Sequence, residues 1–284
     1  NYGSNTDRRR APFTPYDKRG QINLLKGKTM KLSDKVAIIT GATGDIGKAT
    51  AKKFVSEGAK VMLAGRSDEK LTNLQQELGD SAHKLAGDIS SETYVKALID
   101  EALSRFDHVS IMFANAGAEG RTATLEDQTV EDFVDLLNVN VIGVWLCIKH
   151  SIKAMRKNKG DSSIIVTSSG AGILGYAGAG PYIASKHAVN GLVRAGAAEL
   201  ANSGVRINVA APGPIDNRMM NDLALSLNPD DPQAVRAAFE ENIPMQRWGK
   251  NEEIANLVTF LASEEATFCT GGIYMADGGM TATL

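Results

Sequence analysis

The chain is short of three things, and each scarcity narrows what it can be. Only two of its 284 residues are cysteine, Cys147 and Cys269, both inside apolar segments and without metal-like spacing. That argues against a disulfide framework or a zinc site and points to free, buried thiols in a reducing, cytosolic setting. Neither sign of charge is in excess: 31 lysines and arginines face 33 aspartates and glutamates, for a net charge of -2. A nucleic-acid-binding surface across the whole molecule is therefore not expected, and small molecules are the expected partners. No apolar run approaches the ~20 residues that cross a bilayer, so no membrane association is expected. What is present, 43% hydrophobic residues, suffices for a sizeable core.

The first 29 residues, NYGSNTDRRRAPFTPYDKRGQINLLKGKT, are polar, basic and rich in breakers of regular structure. They lack the apolar stretch of a secretory signal, and PFT and PYD spoil an amphipathic transit helix. They read as a leader, tag or natural extension, with Met30 as the original start. Beyond it, short β-branched runs alternate with amphipathic stretches. KVAIIT (35–40), KVMLAG (60–65), SIMFAN (110–115), SIIVTS (163–168) and RINVAA (206–211) predict buried strands. IGKATAKKFVSEG and DEKLTNLQQELG are long enough for crossover helices. Repeated βα units of this kind predict an α/β fold, one parallel sheet with helices on both faces, as a single domain over 30–284.

In such folds ligands gather at the carboxyl ends of the strands. There stands TGATGDIG (40–47), directly after the first strand and opening a helix. Glycines at this place allow a tight turn and let a pyrophosphate approach free N–H groups at a helix N-terminus.

Thr40, Gly41 and Gly47 in that turn, ANAG (114–117), NVIG (140–143), Ser169, YIASK (182–186) and PGPI (212–215) follow one another in an order that resembles the short-chain dehydrogenase/reductase family. The ending IPMQRWGKNEEIANLVTFLASEEATFCTGGIYMADGG is similar to that family's C-terminal segment. The resemblance covers residues 35–279. It implies a Rossmann-type doubly wound sheet of about seven strands, a nicotinamide cofactor, hydride transfer between a carbonyl and a secondary alcohol, and usually a homotetramer.

By the same resemblance Tyr182 is the general acid/base and Lys186 its electrostatic partner, also bonded to the nicotinamide ribose. One helical turn separates the two, and a nearby cation favours the phenolate, bringing a weakly acidic phenol toward neutrality. Ser169 binds the substrate oxygen, with Ser168 the competing choice. Asn140 kinks a helix and holds a water in the proton relay. The cofactor contacts implied are Gly41, Thr43, Asp45, Ile46 and Gly47 in the turn, Asp88 and Ile89, then Asn115, Ala116 and Gly117, and Pro212, Gly213 and Ile215 near the nicotinamide. At the end of the second strand Gly65 stands where an acid commonly binds the adenosine ribose, and Arg66 follows it. A guanidinium there suits a 2′-phosphate, so NADP(H) is favoured, with NAD(H) the alternative.

Two departures from the family bear on the site. Asp45 replaces a glycine, with a carboxylate that opposes a pyrophosphate and a residue type that tolerates a left-handed backbone. Asn217 replaces a threonine near the nicotinamide. The segment IDNRMMNDLALSLNPDDP begins a substrate loop at about 215–245. Ile173, Tyr176, Met219, Met220 and Leu223 offer an apolar pocket for a medium-sized ketone or secondary alcohol, with Glu119 and Arg121 as polar candidates. His83, His108, His150 and His187 match no catalytic position and carry no metal spacing. A non-catalytic dinucleotide sensor on the same fold is the alternative reading, and the presence of Asn140, Ser169, Tyr182 and Lys186 together weighs against it.

Overall fold

Five strands read from the sequence form the centre of a larger sheet. The computed structural model describes residues 30–158 and 160–283; the expectation for residues 1–29 lies outside the described residues. The strands are β1 (Val36–Thr40), β2 (Lys60–Gly65), β3 (Ala82–Ala86), β4 (Ile111–Ala114), β5 (Ser162–Thr167), β6 (Val205–Pro212) and β7 (Ile273–Ala276). They lie in the order β3-β2-β1-β4-β5-β6-β7, every neighbouring pair parallel. This is the doubly wound sheet the resemblance implied. β3 and β7, the two strands absent from the sequence reading, are the sheet's edges. Most of their residues are only half-buried; in AHKLA His83 and Lys84 interrupt the apolar run that marks a strand covered on both faces, and IYMA is a run of only four residues between glycine-rich turns.

The helices are α1 (Asp45–Ser56), α2 (Asp68–Leu78), α3 (Glu92–Phe106), α4 (Val130–Leu137), α5 (Val144–Met155), α6 (Gly180–Leu200), α7 (Arg218–Leu227), α8 (Pro232–Glu241) and α9 (Asn251–Ala262). Strand side chains alternate between two cores. Ile38, Met62, Met112 and Ile164 pack with α3, α5 and α6 on one face. Ile39, Leu63, Phe113 and Ile165 pack with α1, α2 and α9 on the other. α7 and α8 stand apart over a small cluster of Ala224, Ile243 and Trp248. Cys147 is buried in α5 and Cys269 half-buried before β7, both free thiols.

Helix starts differ in a way that places the site. Ser67, Ser91 and Thr129 each cap α2, α3 and α4 by accepting a backbone N–H from the first turn. α1 begins instead at Gly44, with no side-chain cap. Between α4 and α5 the chain forms a π-helical turn, Asn138–Gly143, the kink expected at Asn140.

Candidate active site

Strand order reverses between β1 and β4, and the chemistry-bearing residues collect at the carboxyl ends of these strands and of β5. Gly41 follows β1 with φ +63°, and a Cβ there would stand 2.9 Å from the Ala116 Cα. Only glycine meets both conditions without strain. At Gly47 a Cβ would lie 2.2 Å from the Gly41 carbonyl oxygen, so α1 packs directly on its own turn. The result is a bare backbone cradle at an uncapped helix N-terminus, which fits the pyrophosphate of a dinucleotide.

Asp45 departs from expectation. It is the first residue of α1, and the described non-glycine residues with positive φ are Asp34, Asp107 and Gln246. No left-handed strain exists at residue 45. Its carboxylate instead accepts a hydrogen bond from the Arg218 backbone N–H at 3.0 Å. Thr43 and Ile46 flank it, both half-buried, with the Ile46 side chain packed on the α1-side core.

Asn115 braces the strand ends. Its Nδ2 donates to the Thr40 carbonyl at 3.2 Å, its Oδ1 accepts from Thr167 Oγ1 at 3.0 Å, and its backbone N–H and that of Ala116 both donate to Thr40 Oγ1. The amide expected to contact the cofactor is thus committed to β1 and β5. Arg66 is exposed beside Gly65 at the end of β2, with no ion pair among the described residues. Asp88 is exposed and accepts from the Ser90 N–H at 2.9 Å. Ile89 and Ile215 are 5% and 3% exposed core residues, so their side chains belong to the packing. Pro212 ends β6, and Gly213 lies so close to Asp277 that a Cβ would meet it at 2.7 Å.

Asn140 is fully buried. Its Oδ1 accepts from the Ala118 N–H at 2.8 Å, and its Nδ2 donates to the Ala118 carbonyl at 2.8 Å and to Ser185 Oγ at 3.1 Å. A Cβ on Gly117 would stand 3.3 Å from Asn140 Oδ1 and 3.6 Å from Lys186 Nζ, so these three residues meet in one place.

Ser168 and Ser169 part company. Ser168 is buried and its hydroxyl donates to the Lys186 carbonyl at 3.3 Å, whereas the Ser169 hydroxyl accepts from the Ala171 N–H at 3.2 Å and acts on the Tyr182 phenol, lowering its pKa. Lys186 is 5% exposed, donates from Nζ to the Thr167 carbonyl at 3.2 Å, and lies over the Tyr182 ring, 5.4 Å from its centroid. Burial pushes its pKa down to about 8. The expected fall in the Tyr182 pKa is not what the free site holds. Burial raises it first of all, the Ser169 hydroxyl opposes that, and Tyr176 and Glu119 raise it further. The ammonium sits over the ring face with a carbonyl as its partner, and burial outweighs it.

Around the opening, Ile173 and Tyr176 are 43% and 51% exposed, and Met219, Met220 and Leu223 are half-buried on α7. Asn217 caps α7, accepting from the Met220 N–H at 3.1 Å. Glu119 is half-buried, its carboxyl held above the ordinary range by burial and by Asp222, against Arg218. Arg121 turns away to Asp127 and Asp132. The histidines serve elsewhere: His83 and His150 pair with Glu101 and Glu92, and His108 and His187 bond the Asp34 and Ile183 carbonyls. Among the described residues no three His, Cys, Asp or Glu side chains are grouped to hold a metal ion. Thr167 and Ser185, which hold Lys186, Asn115 and Asn140, were not singled out from sequence. Their signal lay in position, at the end of a predicted strand and inside YIASK.

Sheet, cradle and Ser–Tyr–Lys cluster together define a dinucleotide-dependent oxidoreductase. Comparison with known proteins agrees. The family model described as enoyl-(acyl carrier protein) reductase matches residues 41–281. Levodione reductase of Leifsonia aquatica is 33% identical over 89% of this chain and 97% of its own, and glucose 1-dehydrogenase of Gluconobacter oxydans is 38% identical over 88% and 93%. The crystal structure of levodione reductase superposes with a TM-score of 0.86 at 32% identity, covering 89% of this chain and 100% of that one. A ligand-free aldohexose dehydrogenase of Thermoplasma acidophilum gives 0.81 at 32% identity, covering 89% and 96%. The chain belongs to the short-chain dehydrogenase/reductase family, and is an enzyme acting on alcohol and carbonyl groups with a nicotinamide dinucleotide. Among the described residues no helix is long and apolar enough to cross a membrane.

Proposed function

We propose that this chain uses NADP(H) to interconvert a medium-sized ketone and its secondary alcohol, with Tyr182 as the general acid/base. The observation that carries this reading is the buried Lys186 ammonium over the Tyr182 ring, 5.4 Å from its centroid, with the Ser169 hydroxyl acting on the same phenol. The bound nicotinamide would supply or accept the hydride; the protein's part is to hold the oxygen and move its proton. Because Ser169 Oγ already accepts from Ala171, its own proton is free to point at the Tyr182 oxygen or at a substrate oxygen. Tyr182 then delivers the proton as negative charge develops on that oxygen. Lys186, charged below pH about 8, favours the phenolate left behind. Asn140, its side chain spent on Ala118 and Ser185, would hold a relay water through its main chain. Exposed Arg66, with no acid before it, supports NADP(H) over NAD(H).

The α7–α8 segment is the proposed substrate loop, and Ile173, Tyr176, Met219 and Leu223 support an apolar substrate. Val130, Val134, Ile142 and Trp145 leave exposed apolar surface along α4 and α5, which supports a face between subunits of a homotetramer. Two free thiols support a cytoplasmic setting. The test is a panel of ketones mixed with NADPH and, separately, NADH. Falling reduced-cofactor absorbance with NADPH is expected; cofactor binding without oxidation by any ketone would support a sensor instead.

A further inference from the structure

Asp45 and Arg218 are 173 residues apart in sequence, yet one hydrogen bond joins the first residue of α1 to the first residue of α7. α7 has two side chains at its N-terminus. Asn217 satisfies the Met220 N–H from within the helix's own cap, and Asp45 satisfies the Arg218 N–H from across the site. The Arg218 guanidinium is engaged separately, with Asp222 at 2.7 Å. The carboxylate thus spends itself on a neighbouring helix, while α1 keeps its own first-turn N–H groups uncapped. An acid is well placed at a helix N-terminus, because the helix dipole and the orphan donors both favour it. Here two such N-termini converge on one carboxylate.

From this we infer that Asp45 is a positioning residue: it latches the substrate-loop helix α7 to the cofactor turn, so that the turn sets where Met219 and Leu223 stand. This goes beyond the proposed reaction and does not depend on which cofactor or ketone the enzyme takes. It also replaces the simple expectation that Asp45 only repels a pyrophosphate. Small motions of the turn on cofactor binding would be passed to α7 through this bond, and substrate held by α7 would be felt at the turn to the same extent.

The test can be read in the cofactor-free chain by amide hydrogen exchange over residues 217–228. Asp45→Gly removes the acceptor and should speed exchange there about 5-fold, the effect of losing one helix cap. Asp45→Asn keeps an acceptor oxygen and should stay near wild type. Arg218→Pro removes the donor N–H at the one helix position that tolerates proline, after an extended Asn217, and should match Asp45→Gly. Arg218→Ala keeps the N–H and corrects for the lost side chain. Combining Asp45→Gly with Arg218→Pro should add nothing to either alone. With an active substrate, Asp45→Gly should raise KM several-fold more than it lowers kcat. Unchanged exchange over 217–228 in both Asp45→Gly and Arg218→Pro, or full additivity of the two, would overturn the latch. Absence of turnover would count against the proposed reaction and leave the exchange result standing.

Discussion

The Ser169 hydroxyl acts on the Tyr182 phenol and opposes the rise in its pKa, while Ser168, one residue earlier, turns inward to the Lys186 carbonyl. Adjacent extended residues point to opposite sides, so one hydroxyl faces the phenol and the other the packed interior. Ser169→Ala should lower kcat by at least tenfold with little change in the unfolding midpoint. Ser168→Ala should do the reverse, costing about 1 kcal/mol of stability for a lost buried hydrogen bond and sparing the rate. Steady-state kinetics beside urea unfolding of both variants separates them.

Tyr182→Phe keeps the ring beneath Lys186 and removes the acid. Turnover should vanish while the cofactor dissociation constant stays close to wild type, measured by fluorescence titration. Substantial residual turnover would contradict the assignment.

How much of this was legible beforehand follows burial. Strands covered on both faces announce themselves as apolar runs, and β1, β2, β4, β5 and β6 were read that way. β3 and β7 form one edge each: His83 and Lys84 break the run in β3, and in β7 it is only four residues long. The glycines of the first turn were legible because their reason is local: Gly41 and Gly47 admit no side chain. The partner of Asp45 was not, since nothing near residue 45 encodes a backbone N–H brought in by α7. Nor was the environment of Tyr182. The one-turn spacing to Lys186 indicated a cation nearby, but burial, which dominates the phenol's pKa, depends on the whole mouth of the site.

Arg66 stands exposed after a glycine at the end of β2. If it meets a 2′-phosphate, Arg66→Ala should weaken NADPH binding by about 1.5–3 kcal/mol, the range for a charge-assisted hydrogen bond, and leave NADH nearly unchanged. Calorimetric titration with both cofactors checks this, and equal losses would remove the basis for preferring NADP(H).

The Trp145 ring is 40% exposed on α5, close to Ile142 at 42%. If that face is shared between copies, Trp145→Glu should shift the mass in light scattering to a smaller assembly while the far-ultraviolet circular dichroism is preserved. The same mass in variant and wild type would move the subunit contact elsewhere.

Lys186 ties stability to pH. Below pH about 8 its amine is protonated in the folded and unfolded chain alike, and the cost of burying the charge is carried in full. Between about 8 and the ordinary lysine value of 10.5, the unfolded chain holds a proton that the folded chain has released, so stability due to this group rises with pH. Lys186→Met removes the rise. The variant's unfolding free energy should exceed wild type's by more at pH 7 than at pH 10, and a constant difference across that range would show that the lysine is not depressed.

Glu119 offers the sharpest electrostatic test, because its charge acts on Tyr182 without a hydrogen bond between them being needed. Its carboxyl is itself held up, first by burial and then by Asp222, so its negative charge is less stable than an exposed glutamate's. Once ionised, that charge opposes the phenolate and is one of the influences raising the Tyr182 pKa. Glu119→Gln keeps the shape and removes the charge. The phenol should then ionise more easily, and the limb of the alcohol-oxidation profile on which the rate rises with pH should move to lower pH. Arg121→Gln is the control, since Arg121 is engaged with Asp127 and Asp132 away from the phenol, and its profile should not move. A profile for Glu119→Gln that coincides with wild type, or moves to higher pH, would mean that solvent screens the carboxylate from the phenol and that Glu119 has no part in setting when Tyr182 gives up its proton.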